Sequence, residues 1–261
     1  LTCGYDLDWT RLTLSPLCLL ASLPSLLASL SPLFSFLTAS LGALHPHYAE
    51  TVETYTRHKG GLQCKTPAAA DPTSLDLQAL EAALDTDTAC VIVQTPDVFG
   101  RVADFTSLAA ACKRNKTLLV VAVPEVVALG SVMSPGDMGA DIVVGDGASL
   151  AGGLGFGGPT VGFFACRSKH MRTMPGRVIG ETTDANGERA FVLTLATREQ
   201  HIRREKATSN ICTSASMCAA AMTMHLALLG ESGFSSLAAK NHSRATLLAA
   251  RLAKRCGGKV K

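Results

Sequence analysis

Ala89-Cys90-Val91-Ile92-Val93 is a short, uninterrupted apolar run in the first half of the chain. Its length and its β-branched residues predict a strand that is buried on both faces. Two more apolar runs, at residues 118–123 and 142–144, are each followed by a turn and predict two further strands. Helical patterns precede each of the first two runs, so strand and helix alternate along this part of the chain.

The helical patterns have the expected starts and spacing. Pro46 fits the first turn of a helix. Leucines three and four residues apart predict an amphipathic helix preceded by the capping residues Thr73 and Ser74. The alternation predicts an α/β fold, with a parallel sheet, helices on both faces and ligands at the carboxyl ends of the strands. The predicted elements are helices over residues 46–59, 76–85 and 104–114 and a short strand over residues 62–65.

The rest of the chain predicts a hairpin and a helical tail. Asp184-Ala185-Asn186-Gly187 is typical of a tight hairpin turn between extended segments. An apolar helix is expected to end at Gly230, because glycine commonly follows the last helical turn. The predicted elements are a strand over residues 160–165, a short helix over residues 168–174, and helices over residues 214–229 and 234–255.

The first forty residues differ from the remainder. Residues 12–44 contain no charged residue, and Pro16, Pro24 and Pro32 are equally spaced. The stretch is long enough to span a bilayer, but each proline would break or kink a helix, which makes a membrane anchor unlikely. We therefore expect residues 1–41 to be low-complexity sequence outside the fold, residues 42–229 to form the α/β large domain, and residues 230–261 to begin a C-terminal region.

The composition excludes several classes of function. With 261 residues, 47% of them hydrophobic, the chain can bury a sizeable core. A net charge of +3, one Trp and three Tyr argue against nucleic-acid binding. The nine cysteines show no C-x-x-C and no paired Cys/His spacing, so we expect no metal site and reduced thiols in a reducing compartment. The chain also lacks the Gly-x-Ser-x-Gly elbow of a serine hydrolase.

A glycine-rich loop at residues 152–158 follows the last predicted parallel strand. Its spacing matches neither a Walker loop nor a dinucleotide fingerprint, so the glycines alone are a weak indication of phosphate binding. They do indicate positive φ angles or close backbone approach. The glycines concerned are Gly152, Gly153, Gly155, Gly157 and Gly158.

Residues 198–213, called the basic segment below, crowd charged and polar groups together. Such a layout suits anion binding or a packed polar interface. The alternative is a solvated helix face with intrahelical ion pairs such as Glu199 with Arg203, each worth only a few tenths of a kcal/mol. The segment contains the cations Arg198, Arg203, Arg204 and Lys206, the acids Glu199 and Glu205, and the polar run Thr208, Ser209 and Asn210.

The sequence contains five distinctive motifs: His45-Pro46-His47-Tyr48, Gly139-Ala140-Asp141-Ile142-Val143-Val144-Gly145, Phe156-Gly157-Gly158-Pro159, Met174-Pro175-Gly176-Arg177 and the whole of residues 197–213. Together they resemble the N-terminal half of glycine dehydrogenase (decarboxylating), the P-protein of the glycine cleavage system, and most of all subunit 1 of its split form. The likeness extends from about Gly42 to Cys256, and its long central block is highly specific.

The resemblance implies a fold, a reaction and partners. The fold is the large domain of aspartate-aminotransferase-like enzymes, fold type I of the pyridoxal-phosphate enzymes, apparently cut at both ends. The enzyme is glycine dehydrogenase (aminomethyl-transferring), an oxidoreductase acting on CH-NH2 with a disulfide acceptor. It decarboxylates glycine and passes the aminomethylene group to the lipoyl H-protein. The resemblance places the chain in mitochondria if it is eukaryotic and in the cytoplasm if it is prokaryotic.

This chain departs from the cofactor-binding half of the family at two positions. Ser149 stands where that half has its Schiff-base lysine, and no lysine occurs between Lys116 and Lys169. Glu125 is the only acid in residues 118–130, where the acid for the pyridine nitrogen would lie. A pyridoxal-phosphate site needs both groups. We therefore expect the partner half, subunit 2 or a fused C-terminal half, to hold the cofactor, and this chain to be active only with it.

The expected role of the basic segment follows from the same resemblance. Its cations would face the partner half near the shared active site, where they could attract a phosphate, the glycine carboxylate or acidic H-protein. A relocated Schiff base on Lys206 is disfavoured by its charged neighbours Arg204 and Glu205. A non-catalytic scaffold or an inactive fragment of this fold remains the alternative. The interface candidates are Arg177, Arg198, Glu199, His201, Arg203, Arg204, Lys206 and Asn210.

Overall fold

A mixed seven-stranded sheet organises the chain in a computed structural model, which describes residues 9–13, 35–38, 44–57, 63–67, 75–153, 155–207 and 215–257. In spatial order the strands are β1-β7-β6-β5-β4-β2-β3. The strands are β1 (Trp9–Thr13), β2 (Ser35–Thr38), β3 (Gln63–Lys65), β4 (Thr88–Gln94), β5 (Leu118–Val123), β6 (Ile142–Asp146) and β7 (Gly162–Arg167).

The three central strands lie where the sequence predicts them and run parallel. Val91 is paired with Leu119, and Val121 is paired with Val143. Every residue of β5 is buried, as expected for a strand covered on both faces. The predicted parallel sheet is thus confirmed for these strands, and β7 extends it as an antiparallel neighbour of β6, with Val144 opposite Phe164. Strand β7 also starts and ends two residues later than predicted.

The residues of the N-terminal stretch that can be described belong to the sheet. Strand β1 pairs antiparallel with β7, and β2 lies between β3 and β4 as a parallel strand. For these two segments this corrects the expectation that residues 1–41 lie outside the fold, because strands pair through backbone groups, which any sequence possesses. Most of the predicted apolar span at residues 12–44 lies outside the described residues, and the domain boundaries stay a prediction.

The helices of the large domain are shorter than their sequence patterns. Helix α1 begins at Pro46, as predicted, and residue Asp76 caps α2 by accepting a hydrogen bond from the Ala79 N–H at 2.9 Å. The predicted caps Thr73 and Ser74 lie outside the described residues. The predicted helix at residues 168–174 is only a single 3-10 turn, Ser168–His170. The helices are α1 (Pro46–Thr56), α2 (Leu77–Ala82), α3 (Thr106–Arg114) and α4 (Ala148–Ala151).

A separate two-stranded hairpin follows the sheet, as the Asp184-to-Gly187 motif predicts. Strands β8 (Val178–Thr183) and β9 (Arg189–Thr194) pair antiparallel, with Val178 opposite Thr194. Among the described residues the hairpin pairs with no third strand. Within the described ranges, the outer edges of β8 and β9 are therefore unpaired.

Two helices complete the described fold. Helix α5 covers only Gln200–Arg203, and helix α6 covers Ser216–Arg255. Gly230 interrupts α6 with φ 61° and ψ −173°, so the predicted helix end at this glycine is confirmed. None of the helices that can be described combines the length and the apolar character of a membrane span.

A second, smaller core joins α6 to the carboxyl side of the sheet. Gly130, at the end of the 3-10 turn Val126–Gly130, touches α6 so closely that a Cβ atom would lie 2.8 Å from the Phe234 carbonyl oxygen. Only a glycine lets the two backbones meet at this point without a shift. The buried members of this core are Val126, Val127, Leu150, Val161, Met222 and Ala238.

Candidate functional site

Polar residues gather where the three central strands end, in a group called the sheet crevice below. Gln94 ends β4, Glu125 follows β5, and Asp146 ends β6, with Ser149 three residues further on. The carboxyl ends of parallel strands share one edge, which is where open α/β sheets bind their ligands. The described residues include no group of His, Cys, Asp and Glu that could hold a metal ion.

Glu125 and Ser149 are bonded directly to each other. The Ser149 hydroxyl donates to Glu125 Oε2 at 2.8 Å, and the other carboxylate oxygen accepts the Val127 N–H at 2.9 Å. Sequence reasoning named both positions, because they correspond to the missing lysine and to the missing ring-nitrogen acid. The structure brings them together as a closed hydrogen-bonded pair in which neither residue carries an amine.

Asp146 fixes the turn between β6 and α4. Its Oδ1 atom accepts the Ala148 N–H at 2.6 Å and the Thr160 hydroxyl at 3.0 Å. Tyr48 of α1 lies near this carboxylate: burial and then the charge of Asp146 raise the pKa of the Tyr48 phenol. The raised pKa means that the phenol keeps its proton to a more alkaline pH than an exposed tyrosine does.

His45 and Gln94 form the remaining side of the sheet crevice. The backbone N–H of His45 donates to Gln94 Oε1 at 2.8 Å, and Gln94 Nε2 donates to the Pro96 carbonyl at 3.0 Å. Gln94 is almost wholly buried, and His45 is half-buried. Sequence reasoning missed Tyr48, Gln94 and Asp146. The position of Gln94 and Asp146 at the ends of apolar runs is the signal that could have found them.

The glycine-rich loop leaves the crevice and projects into open space. Gly153, Gly155 and Gly157 have positive φ angles of 77°, 46° and 84°, which confirms the conformation that the glycines predict. No atom lies within 4 Å of where a Cβ of any of these three would be. Phe156 is also left-handed, at φ 54°, and its side chain is fully exposed. An aromatic side chain held in solvent by a strained backbone is unusual.

The basic segment follows the hairpin directly and is highly exposed. Its described part consists of short turns around α5, not of a continuous surface helix. The alternative of a solvated helix with a Glu199–Arg203 ion pair is not what the described residues show, because Arg203 Nε donates to the Thr197 carbonyl at 3.2 Å. Arg204 adopts φ 51°, which breaks the helix after one turn. Four of the predicted candidates in this segment have exposed side chains, namely His201, Arg203, Arg204 and Lys206.

Glu199 is the exception within this segment. Its side chain is only 5% exposed, and Oε1 has no hydrogen-bond partner among the residues that the structure describes. Arg177 is exposed and precedes β8, at the same end of the hairpin as the basic segment. The side chain of Arg198 and the whole of Asn210 lie outside the described residues. The exposed cations thus lie beside one end of the hairpin, whereas Ser149 and the start of the glycine-rich loop lie at the sheet crevice.

Comparison with protein families identifies one match that covers most of the chain. The model of the glycine cleavage system P-protein family matches residues 37–261. A relative from Sphingopyxis alaskensis, "Probable glycine dehydrogenase (decarboxylating) subunit 1", is 55% identical over 211 residues, which are 81% of this chain and 46% of the relative. A protein of the same description from Caulobacter vibrioides is 53% identical over 207 residues, 79% of this chain and 45% of the relative.

Solved structures show the same relationship. The crystal structure of a glycine decarboxylase (P-protein) of the glycine cleavage system, in inhibitor-bound form, has a TM-score of 0.80 at 35% identity, covering 92% of this chain and 53% of that one. Cysteine desulfurase from Thermococcus onnurineus NA1 has a TM-score of 0.59 at 16% identity over 87% of this chain and 53% of its own. The second likeness concerns the fold alone. The expected aspartate-aminotransferase-like fold is thereby confirmed.

The curated relatives match this chain over similar parts of its length and at similar sequence identity. The chain spans about half the length of the curated relatives that it matches. The matched region includes the crevice, the glycine-rich loop, the hairpin and the basic segment. The chain therefore belongs to the glycine cleavage system P-protein family.

Proposed function

We propose that this chain acts as subunit 1, the N-terminal half, of a glycine dehydrogenase (decarboxylating) and works only when assembled with a partner half. The reaction is the decarboxylation of glycine with transfer of the aminomethylene group to the lipoyl arm of H-protein. One observation carries the proposal more than any other. In a member of this family, the crevice contains a bonded serine and glutamate, and none of its described residues carries an amine.

The crevice does not fit a covalently held pyridoxal phosphate. A Schiff base needs an amine, and Ser149 offers a hydroxyl that is already donated to Glu125. Lys116 and Lys169 are the nearest lysines in sequence to the crevice residues of β5 and β6, and Lys169 is paired with Asp141 at 2.8 Å, at the opposite end of β6. The cofactor is therefore assigned to the partner half, subunit 2 or a fused C-terminal half.

The basic segment supports a role in assembly. Exposed arginines next to an apolar hairpin offer both charge and contact area to another protein. Arginine is suited to phosphate and carboxylate groups because its guanidinium can donate two parallel hydrogen bonds. We assign Arg203 and Arg204 to attraction of the partner half, the anions at its active site, or H-protein. Lys206 is exposed, so it does not lie in the dry pocket that a Schiff-base lysine occupies.

The cellular context of the proposal follows the family. The chain would work in mitochondria in a eukaryote and in the cytoplasm in a prokaryote. Its partners would be subunit 2 or the fused second half and the lipoyl H-protein, and its role would be glycine catabolism.

Paired arginine variants test the proposal. Arg203→Ala with Arg204→Ala should weaken co-purification with subunit 2 by about tenfold and lower glycine–bicarbonate exchange to match, since about 1.4 kcal/mol of binding is lost. The difference in assembly between the variant and the wild type should become smaller as the salt concentration is raised, because salt also screens the attraction of the two arginines in the wild type. Lys113→Ala with Arg114→Ala is the matched control, because these two adjacent cations are also exposed but lie at the end of α3.

The outcomes separate the proposal from its alternatives. Unchanged assembly and unchanged exchange in the Arg203 and Arg204 variant would refute the assigned role of the basic segment. Stable assembly without any exchange activity in the wild type would favour a non-catalytic scaffold. An internal-aldimine absorbance band in this chain purified alone would show that it holds the cofactor itself and would overturn the proposal.

A further inference from the structure

The Glu125–Ser149 pair joins two elements that come from different strands. Glu125 begins the turn that follows β5, and Ser149 lies in α4, which follows β6. One carboxylate oxygen accepts the Val127 N–H of its own turn, while the other accepts the Ser149 hydroxyl across 24 residues of sequence. Both oxygens are thus used, and each fixes a different backbone segment.

Helix α4 has few other means of staying in place. It contains only four residues, Ala148–Ala151, and isolated helices of that length are unstable. Leu150 packs in the second core, and its carbonyl oxygen lies 3.0 Å from His225 Nδ1 of α6. These contacts hold one side of α4 against α6, and Ser149 holds the side that faces the crevice.

The glycine-rich loop starts from α4 and depends on it. The Gly153 N–H donates to the Ala148 carbonyl at 3.0 Å, so the first residues of the loop are bonded to the helix. The other end of the loop is fixed separately: Thr160 bonds Asp146, and the Gly147 N–H donates to the Val161 carbonyl at 2.7 Å. Glycines with positive φ at Gly152 and Gly153 give the loop little stiffness of its own.

We infer that the Ser149–Glu125 hydrogen bond positions the glycine-rich loop at the crevice. The position of the loop then sets where Phe156 is presented. The pair occupies the place where the cofactor-binding half is expected to carry its reactive lysine, so the same site in this chain has a structural task. The inference rests on the proposed function only for its consequence in the assembled enzyme, in which the crevice is the ligand-binding edge of the sheet.

Hydrogen exchange in the chain itself tests the inference without the partner half. Ser149→Ala should make the amides of Ala151 and Gly153 exchange about tenfold faster, which corresponds to about 1.4 kcal/mol of lost protection. Ser149→Thr keeps a hydroxyl and should restore the slow exchange. Ser134→Ala is the matched control, because Ser134 makes the same kind of exposed bond, to Asp137 Oδ2 at 2.7 Å, away from the crevice.

Activity provides the second measurement. In the assembled enzyme, Ser149→Ala should lower kcat/KM for glycine about tenfold, and Ser149→Thr should recover most of it. Unchanged exchange at Ala151 and Gly153 would overturn the inference, and so would faster exchange with unchanged kcat/KM. If the wild-type chain neither assembles nor catalyses exchange, the proposed function fails, while the amide measurement still decides whether Ser149 holds the loop.

Discussion

The central strands and the hairpin contain the same kinds of side chain in opposite surroundings. Val91, Ile92 and Val93 of β4 are 0% exposed, whereas Ile179 of β8 is 60% exposed and Phe191 of β9 is 61% exposed. Both regions have the β-branched and aromatic composition of strands. The difference teaches that composition predicts a strand but does not reveal what covers it.

The cause of the difference is the number of neighbours that each region has within the chain. Strand β5 lies between two parallel strands and is covered on both faces, so its apolar surface is used in folding. The two strands of the hairpin pair only with each other, and within the described ranges no layer covers them. An isolated hairpin is at best marginally stable in water. Its exposed apolar surface is therefore available for contact with another protein.

The largest expected effect comes from removing the same side chain in both regions. Leu119→Ala in β5 should lower the free energy of unfolding by about 2–5 kcal/mol, because it leaves a cavity in a fully buried strand. Leu193→Ala in β9, where the leucine is 42% exposed, should change it by no more than about 0.5 kcal/mol. Urea unfolding of the purified chain measures both. Equal losses would mean that the hairpin is as much a part of the folding unit as the sheet.

A smaller effect is expected from the charge at the start of β6. Burial alone would raise the pKa of Asp141, but the His170 ring, the Lys169 ammonium and the Leu119 N–H outweigh it and lower the pKa to about 2. The ionised form is thus favoured by folding. This contribution is complete above the ordinary carboxyl pKa of about 4 and is lost as the pH falls from about 4 to about 2.

Asp141→Asn should therefore cost on the order of 1–2 kcal/mol at pH 7, a value reduced for the solvent exposure of Lys169. The difference between variant and wild type should disappear towards pH 2. Stability measured by urea unfolding across this pH range checks the sign. A difference that grows on acidification would contradict the assigned cause.

The smallest effect is expected for the ion pair on the hairpin. Arg189 Nη2 lies 2.8 Å from Glu181 Oε2, and the guanidinium also stacks over the Phe191 ring with its carbon 5.0 Å from the centroid. Both charged groups are fully solvated, and such pairs contribute little. Glu181→Gln should leave the urea midpoint unchanged within error. A clear loss of stability would show that the hairpin is held more firmly than its exposure indicates.

The sequence was sufficient for elements whose local pattern and tertiary surroundings agree. Strand β5 has the predicted bounds, the hairpin turn lies at Asp184 to Gly187, and α6 breaks at Gly230. The antiparallel direction of β7 could not be predicted, because an apolar strand has the same composition in either direction. The pairing of β1 and β2 with the sheet was missed for a related reason: strand pairing uses backbone groups, which every residue possesses.

The site was predictable only in part, because its geometry depends on contacts between distant residues. The sequence identified Ser149 and Glu125 as departures from a cofactor site, but their direct bond spans 24 residues and required the structure. The interface candidates Arg177, Glu199, His201, Arg203, Arg204 and Lys206 lie around one end of the hairpin, but the burial of Glu199 was not foreseen. Sequence spacing shows that charges are close, but it does not show which of them face solvent.

Gly130 brings the turn next to the crevice into direct contact with the second half of α6. Where two elements meet through side chains, a small displacement of one can be absorbed by rotamer changes in the other. Here the backbone of Gly130 lies directly against the Phe234 carbonyl and the Ala238 methyl group, because Gly130 has no side chain of its own to separate them from the turn. A tilt of the part of α6 that follows Gly230 would displace the turn Val126–Gly130, which Glu125 precedes. A protein that binds this part of α6 would therefore change the position of Glu125 in the sheet crevice.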